Sequence, residues 1–314
     1  MILPEVGAKG QARLGAAHAL VIGAGGLGAP VLQYLAGAGV GMLTIVDPDW
    51  VDLSNLHRQT LFGEEEVGQP KAEAAAAFVE RLNGAVAVRP VVARFDPGNA
   101  ARLLGGVDIA LDCADSFAAS YTLSDACFAA SVPMIGASVL GMEGYAGGFC
   151  GGAPSLRAVF PDLPARAASC ATAGVLGPVV GMVGALQAQM ALWALLGHAP
   201  SPLGQLTQVA GVPPRMQSFR FDGAVEPKAP FRFIAPGEIE AADFVLELRG
   251  EAETPVPVAP HAQRAEAAMA AAHVPGQAQR AVMVCRSGLR AWQAATALRQ
   301  VWDGEIVLAA MGDP

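Results

Sequence analysis

Three glycines, Gly23, Gly25 and Gly28, stand at GxGxxG spacing in the run Gly23-Ala-Gly-Gly-Leu-Gly28-Ala-Pro. That spacing lets a backbone turn approach a phosphate closely and aims amide N–H groups from the start of the following helix at the anion. The turn, Gly26 included, is therefore expected to cradle a nucleotide. Asp47 closes the apolar run MLTIVD 19 residues after Gly28, where a carboxylate can accept hydrogen bonds from both ribose hydroxyls. To this point ATP and NAD fit equally well. A polar segment then follows, with Asp49, Asp52, Ser54, Asn55, Arg58 and Gln59, and after it Gly68-Gln-Pro-Lys71. Arg58 and Lys71 are placed to neutralise a polyphosphate, with Asp49 and Asn55 as further nucleotide-binding candidates.

These side chains need elements to hold them. A strand (ALVIG) leads into the glycine turn, a helix runs from the turn to Ala38, and a second strand ends at Asp47. Lys71 opens an alanine-rich helix through about Leu82, and VAVRPVVARF reads as a third strand. A fourth strand, from Val107 to Ala114, delivers Asp112 and Asp115 to the carboxyl end of the sheet, where open α/β sheets bind ligands. Asp115 and Ser116 also suit a helix N-cap; Asp112 and Cys113 read as structural. A fifth strand spans Pro133 to Ser138. The alternation predicts an α/β fold, a doubly wound, mostly parallel Rossmann-like sheet, over residues 1–225, with a linker near 224–232 and a smaller α/β domain over 232–314.

Composition narrows the classes. The 314 residues carry a formal net charge of −8, which argues against nucleic acid as a partner. Five cysteines form no CxxC pair, which fits a reducing cytoplasm and argues against a tetrathiolate zinc site. No secretory leader pattern opens the chain. Ala173 to Gly197 is apolar enough to span a bilayer, but its glycines, Pro178 and the absence of flanking Lys or Arg favour a buried helix, so no membrane association is expected.

Taken in order, GAGGLG, Asp47, SNLHRQ and Lys71 resemble the ThiF/MoeB/HesA family, bacterial relatives of ubiquitin-activating enzymes, with its GxGGLG…D…SNLxRQ…GxxK signature. The resemblance implies ATP-dependent adenylylation of the C-terminal glycine of a small ubiquitin-like sulfur-carrier protein ending in Gly-Gly, in thiamine or molybdopterin (molybdenum cofactor) synthesis. It implies that the segment Leu111-Asp-Cys-Ala-Asp115-Ser116 corresponds to the family's LDCTDN, whose last aspartate holds Mg²⁺. It further implies a homodimer in which Arg58 crosses to the neighbour's nucleotide, and a candidate thiol at Cys170. Gly141-Met-Glu-Gly-Tyr145 resembles the family's MEGQ segment. Two departures stand out. The family's Arg-Tyr-x-Arg-Gln segment would lie ahead of residue 1, so either that phosphate contact is missing or the start codon is misplaced. The family's two CxxC pairs, one near Ser155 to Phe160, have no counterpart, so this region is expected to pack without zinc.

Near the C-terminus, AVMV followed by Cys285-Arg-Ser-Gly-Leu-Arg290 resembles a rhodanese-like domain. A strand ending in such a loop wraps backbone amides around one sulfur, a geometry that favours thiolate or persulfide. Arg286 or Arg290 is expected to lower the Cys285 pKa. A persulfide donor such as a cysteine desulfurase is the implied partner. A nicotinamide-dependent oxidoreductase or a catalytically silent scaffold of the same fold are the competing classes.

Overall fold

The computed structural model describes residues 3–163, 174–276 and 279–312. A short helix, α1 (Gly7–Ala16), precedes a run in which strands and helices alternate: β1 (His18–Ile22), α2 (Gly28–Gly37), β2 (Met42–Val46), α3 (Lys71–Leu82), β3 (Ala87–Val91), α4 (Pro97–Leu104), β4 (Ile109–Asp112), α5 (Phe117–Ala130) and β5 (Pro133–Leu140). The central strands β1, β2 and β4 are apolar runs buried on both faces, as parallel strands between helical layers must be. The chain continues through β6 (Glu143–Cys150), the one-turn α6 (Leu156–Val159), α7 (Gly177–Leu196), β7 (Gln205–Gly211) and β8 (Pro214–Arg220). These strands complete one sheet in the order β3-β2-β1-β4-β5-β6-β7-β8. The first five are parallel, and β6 to β8 extend the edge antiparallel.

The strand order reverses direction at β1, which lies between β2 and β4. A crevice opens at such a switch point, outside the carboxyl ends of the strands. Helices α2, α3 and α7 cover one face of the sheet, where Val21, Leu32, Ile45, Val79 and Val183 share a core. The apolar stretch weighed as a membrane span is α7. It is long and apolar enough to cross a bilayer by length and composition, but it packs on α2, β5 and β6, and Pro178 in its first turn and Gly197 at φ +70° bound it.

Helices α4 and α5 cover the other face. Asp96 starts α4 by accepting from the Asn99 N–H (3.1 Å) while Asn99 accepts from the Asp96 N–H (3.2 Å), with Pro97 at the first helical position. The segment 155–160, where relatives of the resembled family carry a CxxC, is tied down ionically. Glu226 accepts from the Ser155 N–H (2.7 Å) and hydroxyl (2.6 Å). Arg157 makes a bidentate pair with Asp125 (2.6 and 2.9 Å).

A second sheet, entirely parallel, runs β11-β10-β12-β13-β9. It comprises β9 (Arg232–Phe233), β10 (Phe244–Glu247), β11 (Gln263–Arg264), β12 (Ala281–Cys285) and β13 (Ile306–Ala310), with α8 (Leu289–Arg299) on one side. Between β8 and β9 the chain has no regular structure, yet it is not a loose tether: besides Glu226, the Phe231 carbonyl accepts from Arg157 (3.0 Å). One buried core, with Phe95, Leu123, Phe233, Trp292 and Leu298, runs through both sheets' helical layers.

Candidate active site

The glycine turn is fixed by two contacts that leave no room for a side chain. Gly23 sits at φ +96° with its α-carbon against the Cys113 carbonyl, where a Cβ would come to 2.6 Å. At Gly28 a Cβ would meet the Gly23 carbonyl at 2.2 Å. These two glycines are demanded by close packing of turn, strand and helix. At Gly26 a Cβ would meet Val180 at 2.7 Å. Gly25 differs: its nearest neighbour is Gln59 Nε2 at 3.5 Å, ordinary contact. Nothing in the protein itself excludes a side chain there. The opening faces the N-terminus of α2, which has no acidic residue in its first turn and no side-chain cap, so its dipole and amides remain suited to an anion.

Asp47, at the carboxyl end of β2, is buried. Its Oδ2 accepts from the Ala24 N–H (2.7 Å) and its Oδ1 from the Asp49 N–H (2.8 Å), so it fastens the glycine turn to β2. Each oxygen keeps a further lone pair for a ribose hydroxyl. Burial pushes its pKa up, opposed by those amides and by Lys71.

Lys71 owes its place to a short antiparallel pairing of 49–51 with 68–71. Val51 N–H donates to Gln69 O (2.8 Å), Gly68 N–H to Val51 O (2.9 Å) and Lys71 N–H to Asp49 O (2.8 Å). This starts α3 with the lysine side chain 7% exposed, its Nζ 2.9 Å from Asp49 Oδ2, while the Asp49 side chain is 63% exposed. The cation is inside and its counterion reaches from solvent, so an anion entering the crevice can share Lys71 or take it over.

The polar turn 52–59 lies on the glycine turn, with the Arg58 carbonyl 3.3 Å from where a Gly26 Cβ would stand. Asn55 Oδ1 accepts from Arg58 Nη2 (2.9 Å) and Gln59 Nε2 (3.0 Å). Arg58 Nη1 is also 2.9 Å from His57 Nε2. Gln59 is buried, and its Oε1 has no hydrogen-bond partner.

Asp115 is exposed and Ser116 half-buried where β4 gives way to α5. Ser116 holds the N-cap position with no side-chain cap bond, so the capping role available to it is not exercised. Asp112 behind them is buried. Burial pushes its carboxyl up to about 7, against hydrogen bonds from Ser120 and the Ala114 N–H. Cys113 is buried, its thiol pushed up by burial and donating to Gln187 Oε1 (3.4 Å).

Gln187 is a residue that the sequence reading passed over as a positioning group. Its Nε2 donates to the carbonyls of Asp112 (2.8 Å) and Ile135 (2.9 Å), pinning the end of β4 and the first half of β5 to α7. Of the two amides in this apolar helix, Gln187 and Gln189, only Gln187 is buried.

These contacts link Gly23, Gly25, Gly26, Gly28, Asp47, Asp49, Asn55, Arg58 and Lys71 beside the ends of β1 and β2, and Asp115 and Ser116 follow β4, whose neighbouring Cys113 carbonyl packs on Gly23. Cys170 lies outside the described residues. Cys285 stands on the second sheet, fully buried, accepting from the Gly288 N–H (3.1 Å) and the Ala291 N–H (3.3 Å). Arg290 is engaged by the Leu248 carbonyl (2.8 Å) and Glu253. Beside it, Arg249, Arg264 and Arg290 line a cavity of about 410 Å³.

A family model described as the ThiF family matches residues 1–229. The SAMP-activating enzyme E1 of Haloferax volcanii is 43% identical over 208 residues, covering 66% of this chain and 77% of that protein. The adenylyltransferase and sulfurtransferase MOCS3 of Bos taurus is 46% identical over 66% of this chain and 46% of its own. The adenylyltransferase and sulfurtransferase UBA4 of Yarrowia lipolytica is 38% identical over 78% of this chain and 65% of its own. The chain thus spans about half the length of the bovine relative. Among solved structures, E. coli MccB with ATP superposes with a TM-score of 0.58 at 21% identity, over 70% of this chain and 67% of that one, a likeness of fold.

Proposed function

The chain belongs to the ThiF family, and we propose that it is an ATP-dependent adenylyltransferase acting on the C-terminal glycine of a small ubiquitin-like sulfur carrier. One observation carries the reading: a buried lysine, Lys71, is held at the mouth of a crevice whose floor is a glycine turn opening onto a helix N-terminus. A dinucleotide site needs the turn and Asp47 but has no use for that ammonium. The relatives named as SAMP-activating enzyme and as adenylyltransferase and sulfurtransferase support the same reaction class.

In the reaction, a carboxylate oxygen of the carrier attacks the α-phosphorus of ATP. The bond to the bridging oxygen breaks and pyrophosphate leaves with its electron pair. A carboxylate must approach a polyanion, so the protein's work is positioning and charge neutralisation. The glycine turn and α2 N-terminus take phosphate oxygens, Asp47 the ribose, Asn55 and Lys71 the phosphates, and Arg58 those of the neighbouring subunit in a homodimer.

Asp115 is the residue for Mg²⁺. Among the described residues no cluster of three or more His, Cys, Asp or Glu could cage an ion. One exposed carboxylate does fit an ion that arrives on phosphate oxygens and keeps its waters. Bound there, Mg²⁺ would neutralise phosphate charge.

The second step would use Cys285 as a persulfide. Its outer sulfur, about 2 Å beyond Sγ, attacks the acyl carbon, and AMP leaves. A thiol reductant then cleaves the resulting acyl disulfide to release the thiocarboxylate. The amides of Gly288 and Ala291 around Sγ and the arginine-lined cavity beside the loop support this reading. Thiamine or molybdopterin synthesis would receive the product, in the cytoplasm, with sulfur supplied by a persulfide donor such as a cysteine desulfurase.

Nucleotide choice tests the reading. ATP with Mg²⁺ should raise the melting temperature and NAD should not, and incubation with ATP and a Gly-Gly-tailed carrier should yield a carrier heavier by one AMP. Stabilisation by NAD alone would refute it.

A further inference from the structure

Segments that follow the carboxyl ends of parallel strands in the first sheet lie against segments that follow the carboxyl ends of strands in the second. Gly288, at φ +92° in the turn after Cys285, is packed so closely that a Cβ there would lie 2.9 Å from the Phe233 ring and 3.5 Å from the Ala118 Cβ. Ala118 is in the first turn of α5, three residues after Asp115. On the same side, Arg94, which follows β3, donates to the carbonyl of Ala310 at the end of β13 (3.4 Å), and its guanidinium lies against Gly312. Gly312 N–H in turn donates to the Arg286 carbonyl (2.7 Å), within the Cys285 loop. Gly98 in α4 packs on Ala235, just beyond β9.

The dock is locked from behind by Arg157. Its guanidinium is buried, paired with Asp125 of α5, bonded to the Phe231 carbonyl, and stacked 4.7 Å from the Tyr121 ring and 5.8 Å from the Trp292 ring. Tyr121 belongs to α5 and Trp292 to α8, and their rings are 5.7 Å apart. Arg157 and Asp125 both belong to the helical layer of the first sheet, so Arg157 reaches the second sheet's side through the Phe231 carbonyl and the Trp292 ring.

The geometry points to a single composite cleft: residues 232–276 and 279–312 are a fixed second wall of the nucleotide crevice, and one carrier tail docked there reaches both Asp115 and the Cys285 loop. The inference rests on the adenylylation and persulfide reading above. Its scale is set by the contacts. Three Cα steps from Asp115 to Ala118 span at most about 11 Å, a Cβ on Gly288 would lie 3.5 Å from that of Ala118, and the Gly288 N is 3.1 Å from Sγ. An extended tail gains about 3.3–3.6 Å per residue, so six or seven residues cover the whole path without release of the carrier.

The test uses the full chain in two ways. Spin labels at the exposed positions Glu65→Cys and Gln300→Cys, in a chain that also carries Cys170→Ser and Cys285→Ser, report the distance between the two walls; Cys113, Cys127 and Cys150 are buried. One narrow distance distribution, unchanged by ATP or carrier, is expected. A broad or bimodal distribution would overturn the fixed wall whatever the chain's activity. The second arm is Ala118→Trp, which wedges an indole into the contact with Gly288. Carrier-dependent pyrophosphate exchange should persist, while thiocarboxylate formation should fall on the order of 10²-fold, the cost of misplacing reacting groups. Undiminished thiocarboxylate would overturn the shared tail. If Ala118→Trp also loses exchange, Arg94→Glu at the other contact decides by the same two readouts. Absence of exchange in the unaltered chain would instead remove the adenylylation reading and leave the distance result standing.

Discussion

Lys71 and Asp49 set the electrostatics beside the glycine turn. The ammonium is nearly enclosed and its carboxylate partner is mostly in solvent, so the pair holds a cation ready where a phosphate arrives. Lys71→Ala and Asp115→Ala should each lower the rate of adenylylation on the order of 10²-fold or more, the scale of removing one preorganised charge-stabilising group. Asp112 makes a different prediction. Its carboxyl titrates near 7 in the fold, raised by burial from an ordinary 3.8. Between those values it is protonated when folded and ionised when unfolded, so its contribution to stability falls as pH rises through that window and is level above it. Asp112→Asn should therefore remove a slope of up to about 1.4 kcal/mol per pH unit. Denaturant titrations of both proteins from pH 4 to 8 would show this as a stability difference that widens with pH; parallel curves would count against the assignment.

The glycine turn separates two reasons for glycine that look alike in sequence. Gly23 and Gly28 are required by protein contacts at 2.6 and 2.2 Å, whereas Gly25 meets only Gln59 at 3.5 Å. Gly25→Ala should leave the melting temperature of the free protein nearly unchanged and weaken ATP binding by calorimetry. Gly28→Ala should destabilise the fold itself. The five parallel strands and the helices α2 and α3 were legible because each has one dominant signal: an apolar run ended by Asp47, a helix opened by Lys71, a strand delivering Asp115; α4, short and opened by Asp96 and Pro97, was not read. The pairing of 49–51 with 68–71 was not legible, since it is made of backbone bonds between residues with no strand-like pattern. Neither was the Glu226 and Arg157 fastening of 155–160. A lone Glu in a proline-rich stretch looks like solvent-facing charge until the fold brings it to Ser155. The same holds at Cys285, where the groups donating to the sulfur are the backbone amides of Gly288 and Ala291, which no residue type in the loop announces.

At the scale of the whole molecule, the Cys285 loop lies beside the first turn of α5, three residues beyond Asp115, and the polar turn carrying Arg58 lies on the glycine turn. In a homodimer with Arg58 serving the neighbour's nucleotide, mixing Arg58→Ala with Lys71→Ala protein should restore up to about a quarter of the activity, because half the dimers are mixed and one site in each has both groups. A mixture that stays inactive despite demonstrated subunit exchange would place Arg58 in its own subunit's site. The adenylylation reading itself reduces to one exchange reaction. The chain with Mg²⁺, ATP and labelled pyrophosphate should incorporate label into ATP only when a carrier ending in Gly-Gly is present, and lose that incorporation when the carrier's last glycine is removed. Label incorporated at the same rate without any carrier, or none with every such carrier of the host, would contradict it.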